Sequence, residues 1–131
     1  MLRNLLSVLG GVFVGMNIGR LLSMYSAKLY PMPEIVDPSD PEALFNFLNG
    51  LPANAFYIIL AAHGIGSFIA AIMAGRIAAT NKRQMALIAV FVMFVLTIAY
   101  TMMLPNPRWF VVSDIITVLL SGWIGSQFVG K

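Results

Sequence analysis

Four runs of mostly apolar residues, each long enough to cross a bilayer, take up most of the chain. About 20 such residues in a helix span the hydrocarbon core. The runs are Leu5 to about Leu29, Ala55 to about Ala79, Met85 to Leu104, and Trp109 to about Phe128. They define the expected fold class: all-α, a polytopic membrane protein built as a four-transmembrane-helix bundle in a single membrane domain, residues 1–131. Composition agrees, because the chain is 60% hydrophobic and only 10% charged. A soluble domain carries about a quarter charged residues. The apolar excess must face lipid.

The connections are punctuated by residues that stop helices. Pro31 and Pro33 end the first segment, since proline cannot continue a helix. The connection 31–53 holds Glu34, Asp37, Asp40 and Glu42, four of the five acidic residues. Asp40-Pro41-Glu42 reads as an N-cap, a proline at the first helical position and an acid in the first turn. A short helix over about 41–49 follows, with Gly50 as its expected stop. Leu44, Phe47, Leu48 and Leu51 repeat at helical spacing, so this helix is expected in the membrane interface or capping the bundle mouth. Thr80 to Gln84 is a tight polar turn, and at Pro105–Arg108 Asn106 is expected to cap and Pro107 to start the last segment.

Orientation follows from the basic residues. Arg3, Arg76, Lys82, Arg83 and Lys131 lie on the side of the termini and the middle loop, which is expected to be cytoplasmic. The implied location is the bacterial cytoplasmic (inner) membrane, multi-pass, with both termini inside. Arg3 before an apolar run has the look of a signal peptide, but the run outlasts a usual h-region and Tyr25-Ser26-Ala27 is a poor cleavage site. The segment is read as a retained helix.

Small residues recur at every fourth position on two segments. The first carries Ser7, Gly11, Gly15, Gly19, Ser23 and Ala27; the second carries Ala62, Gly66, Ala70, Ala74 and Ala78. In lipid, helices associate by close packing, which small residues permit. The two segments are therefore expected to form a tight antiparallel pair, a homodimer interface being the alternative use of these rows. Segment four adds Gly122, Gly125 and Ser126, whereas segment three has few small residues and is expected to be the most lipid-exposed.

Three ionisable residues fall inside spans: Arg20, His63 and Asp114. At about 1.5 Å per residue they lie about 10–13 Å from the outer ends of their segments, close to one level. A charge there costs several kcal/mol unless paired. An Arg20–Asp114 ion pair is expected, with His63 in reach and Asn17 one turn from Arg20. Tyr100, Thr97 and Thr117 are candidates to complete the hydrogen bonding. This level is either a buried pair that sets helix register or a polar cavity for a proton, an anion or a lipid headgroup.

The sequence also bounds the chemistry. With no cysteine and one histidine, thiol chemistry and a metal site are not expected, and no cofactor is implied. No nucleophile arrangement is recognisable, although His63 and Asp114 near Ser67 or Ser113 weakly mimic a triad. The basic residues cluster at helix ends where topology explains them, so nucleic acid is not an expected partner. The expected partners are the lipid bilayer and either another membrane protein or a second copy. The first reading is a structural or accessory component; the alternative is a small oligomeric transporter or channel using Arg20, His63 and Asp114.

Several stretches carry a resemblance. Leu29-Tyr30-Pro31-Met32-Pro33, Asp40-Pro41-Glu42, Leu51 to Phe56, Ala61-Ala62-His63-Gly64 and Asn106 to Phe110 resemble a widespread, uncharacterised family of small bacterial membrane proteins with four segments. The resemblance covers nearly the whole chain and implies topology without an activity. Gly10 to Gly15 with Gly19-Arg20 is similar to the glycine-rich, arginine-ended first helix of the fluoride channels, and Gly66-Ser67-Phe68 to part of their second. Their third helix carries a threonine- and phenylalanine-rich break, which Met85–Leu104 lacks. Segment one also lacks the membrane glutamate of the small multidrug resistance transporters.

Overall fold

The computed structural model describes residues 1–130, so Lys131 lies outside the described residues. Four long helices, α1 (Leu2–Leu29), α3 (Ala53–Ile77), α4 (Lys82–Met103) and α5 (Arg108–Gln127), are joined by short turns and by one short helix, α2 (Pro41–Gly50). Each long helix is apolar and long enough to cross a membrane. The protein is a four-helix membrane bundle. The helix ends differ from the expected ones by at most three residues, because polar residues such as Lys82 and Arg83 continue α4 into its terminal turn.

α3 is the hub. It packs on α1, α4 and α5; α4 also meets α1 and α5; α1 and α5 make no contact with each other. α1 and α5 therefore stand diagonally, with α3 and α4 between them.

The α1–α3 seam explains the small residues. A Cβ on Gly11 would stand 2.6 Å from the Ala70 carbonyl oxygen and 2.8 Å from the Ala74 nitrogen. One on Gly66 would stand 2.6 Å from the Gly15 oxygen, and Gly15 is closed off by Gly66 and Ala70 in turn. At Gly19 the seam loosens, with the Ala62 oxygen at 3.3 Å. Gly11, Gly15, Gly19, Ala62, Gly66 and Ala70 are all buried within the one chain. Intramolecular packing is thus the use the fold makes of these rows. Beyond Gly19 the row leaves the seam: Ser23 is half-buried and Ala27 exposed, while Ser26 takes over and donates its hydroxyl to Ala55 O at 2.9 Å. A step of four overshoots a turn of about 3.6 residues, so the row drifts round the helix.

α5 docks on the other side of α3 through its own small residues. A Cβ on Gly125 would meet the Phe68 oxygen at 2.7 Å, and Ser67 donates to Val118 O at 2.8 Å. α4 departs from expectation. It buries as large a share of its membrane window as α1 and α5. Ala86, Ala89, Val90, Met93, Thr97 and Thr101 supply a buried stripe, and Val90 fills the notch left by Gly122. A helix without a small-residue row still packs where its partner contributes the glycine.

At the end bearing the termini, Arg3 Nε donates to Ile77 O at 2.9 Å and Asn4 Oδ1 accepts from Ala79 N at 2.9 Å. These bonds close the C-terminus of α3, where last-turn carbonyls lack helical partners. Asn81 turns the chain into α4 with φ 50°, a left-handed conformation that asparagine tolerates.

At the opposite end Asp40 caps α2 as expected, accepting from Glu42 N at 3.0 Å. Ser39 donates both its hydroxyl and its amide to Asp37 in the preceding turn, which holds that carboxyl below its ordinary value. Two expectations are corrected. Gly50 is the last residue of α2 and is not left-handed; Leu51, extended before Pro52, makes the turn. Asn106 does not cap α5, whose N-cap is Pro107; its side chain donates back to Thr101 O at 3.3 Å and closes α4 instead. α2 packs against none of the long helices and buries no residue. Its tether is Asn49 Nδ2, which donates to Pro105 O at 3.1 Å.

Candidate polar cavity between two helices

α1 and α4 meet near the termini through the core that includes Val8, Val12, Ala89 and Met93. Past that core they part. The space left is a cavity of about 570 Å³, with Gly15, Gly19, Gly66 and His63 contributing to its wall. α1 presents Phe13, Met16, Asn17, Arg20 and Ser23 to it, and α4 presents Met93, Leu96, Thr97 and Tyr100. Each set repeats at three- and four-residue spacing and so lies along one face of its helix, the α4 set sharing Met93 and Thr97 with the packed stripe. No α2 residue lines this cavity, so the expected roof of residues 41–49 is not formed over it.

His63 and Asp114 are brought together. His63 Nδ1 lies 2.9 Å from Asp114 Oδ1 and 2.9 Å from Oδ2. Asp114 is wholly buried, while the His63 side chain is 17% exposed where it reaches the cavity. With Asp114 as a carboxylate, which only accepts, Nδ1 is the donor of this bond. Tyr100 stands edge-on to the imidazole, ring centres 6.1 Å apart.

The expected Arg20–Asp114 ion pair does not form. Among the described residues His63 is the partner of Asp114, and Arg20 has no carboxylate partner. The reason is the diagonal placement of α1 and α5: the central α3 reaches Asp114 and α1 does not. Arg20 is exposed along the cavity wall. Asn17 shares that wall and donates to Phe13 O at 2.8 Å, one turn back on its own helix. Thr117 donates to Ser113 O at 2.7 Å and lines no part of the cavity.

Ser23 completes the polar side. Its hydroxyl oxygen is buried and has no hydrogen-bond partner among the described residues. Sequence reasoning placed it in the small-residue row and missed this; the signal was its position three residues after Arg20, on the Phe13–Asn17–Arg20 face. Ser67 offers no nucleophile to His63, since its hydroxyl is spent on Val118 O.

The cavity can therefore do one thing well. It offers a cation, an orphaned hydroxyl and an imidazole between apolar walls of Phe13, Met16, Met93 and Leu96. A guanidinium presents a planar fork of donors suited to a phosphate or carboxylate. The fold and this cavity define a multi-pass helical membrane protein with a polar site open between two of its helices. In comparisons with protein families, curated proteins and solved structures, the chain matches none.

Proposed function

We propose that this protein is a non-enzymatic accessory protein of the bacterial cytoplasmic membrane that binds an anionic lipid in the α1–α4 cavity, with both termini in the cytoplasm. One observation carries the reading: Arg20 lies inside a membrane span, beside a cavity, with no carboxylate partner among the described residues. A charge at that depth is costly unless it pairs or reaches water or headgroups. A lipid phosphate supplies the pair, and its acyl chain covers the apolar walls. The basic residues at the terminal end support the orientation.

The test is titration of short-chain phosphatidylglycerol and phosphatidylcholine into protein held in an uncharged detergent. Wild type should bind the anionic lipid more tightly. Arg20→Gln should lose at least about tenfold in that affinity, the equivalent of one hydrogen bond to a charged group. Equal affinities for the two lipids in wild type would overturn the reading.

The buried His63–Asp114 pair favours a second reading, a small oligomeric transporter moving protons with an anion. Proton flux into liposomes that is lost in Asp114→Asn would support it over simple lipid binding.

A further inference from the structure

We propose that the cavity takes its anionic headgroup together with a proton, and that the proton is held on Nε2 of His63. This rests on the lipid-binding reading and adds its regulation and its charge balance.

The geometry assigns the two ring nitrogens different tasks. Nδ1 is committed to Asp114, 2.9 Å from each carboxyl oxygen, and donates to it when Asp114 is a carboxylate. Nε2 makes no hydrogen bond among the described residues, and the ring lines the cavity that also holds Arg20. With Nδ1 carrying the hydrogen, Nε2 is a bare acceptor. It repels an anion's oxygen when neutral and donates to it when protonated.

Charge balance points the same way. The charged and titratable groups that face this site come from each helix packed on α3: Asp114 from α5 at 2.9 Å, Tyr100 from α4 with ring centres 6.1 Å apart, and Arg20 from α1 on the wall of the same cavity. With His63 neutral, Arg20 and Asp114 cancel, and an arriving anion leaves the site negative. With His63 protonated, the site carries a single positive charge, and the anion neutralises it. Away from bulk water such differences are only weakly screened. Binding of the anion and of the proton must therefore favour each other, and by the same factor in both directions. Asp114 is the positioning residue, because it holds the ring with Nε2 turned from α5.

The test uses the whole chain, free of added histidines, in an uncharged detergent. The probe is short-chain phosphatidylglycerol, whose phosphodiester keeps one charge over the range examined. Calorimetric titration in two buffers of different ionisation heat counts the protons taken up on binding. Uptake of up to one proton per lipid is expected at neutral pH, with affinity falling by as much as tenfold per unit as pH rises. His63→Gln should still bind, with no uptake and a flat profile. His63 is the sole histidine of the chain, so its nitrogen resonances report on the wild type directly, whether or not the variant folds. Lipid should move Nε2 to the protonated form while Nδ1 stays protonated. Binding with no proton uptake, or uptake that persists in His63→Gln, overturns the proposal and leaves the lipid reading intact. Absence of lipid binding at every pH overturns the lipid reading itself and this proposal with it.

Discussion

α1 has two flanks, and they behave oppositely. The flank toward α3 is so close that carbonyl oxygens take the place of side chains: a Cβ on Gly11 would stand 2.6 Å from Ala70 O. The flank toward α4 is closed only near the termini and then opens into a cavity of about 570 Å³. The two faces adjoin at Gly19 and Arg20: Gly19 is the loosened end of the seam and borders the cavity, and Arg20 lies along the cavity wall. Backbones approach this closely where small residues of both helices face each other, as Gly11, Gly15 and Gly66 do on the α3 flank. On the α4 flank the wall across from Arg20 is made of Met93, Leu96, Thr97 and Tyr100, with no glycine among them. The same helix thus builds a seam for stability and a gap for binding.

The contrast can be broken by substitution. The largest effect is expected at the seam. Gly15→Ile would drive a side chain into the Gly66 backbone, which cannot yield as a flexible side chain can. A loss of about 3 kcal/mol or more is expected, the upper end for overpacking. Gly10→Ile is the control, since nothing lies within 4 Å of a Cβ there. Thermal unfolding in detergent reads both, and a Gly15→Ile protein that melts with wild type would contradict the seam.

Next in size is the pair at the cavity's edge. Asp114→Ala strips His63 Nδ1 of its acceptor at a wholly buried site. About 2 kcal/mol is expected, with Asp114→Asn costing less because its amide oxygen still accepts. Equal melting of the two variants would show that the hydrogen bond contributes nothing.

Ser67→Ala removes one interhelical bond, to Val118 O. Bonds of this kind in membranes average about 0.6 kcal/mol, so a small but resolved drop in unfolding free energy is expected.

The smallest effect on stability is at the gap. Arg20→Leu removes a charge that pairs with no carboxylate among the described residues. Its unfolding should match or slightly exceed wild type while anionic lipid binding is lost. Strong destabilisation would mean that Arg20 has a structural partner, and the contrast between the flanks would fail.

These cases show why some features could be read from the chain and others could not. Asp40 capping α2 was legible because an N-cap is a bond between neighbours in sequence. Asn106 was equally local, yet its side chain had two helices within reach and closed α4 rather than starting α5. α4 looked like the lipid-facing helix because it lacked small residues, but the glycine it needed, Gly122, came from α5. The polar level was visible as depth along each segment. Which members of it meet depends on angular position in the bundle, which depth does not contain.

The four spans and the small-residue faces were legible in the chain, because hydropathy and side-chain volume act along one helix, whereas the caps at Gly50 and Asn106 were not. The tertiary structure alone decided that α1 and α5 stand diagonally. From that placement follow the His63–Asp114 pair and the arginine left facing an open cavity. The physical reason is reach: α3 lies between the two, so its histidine meets the carboxylate and Arg20 cannot.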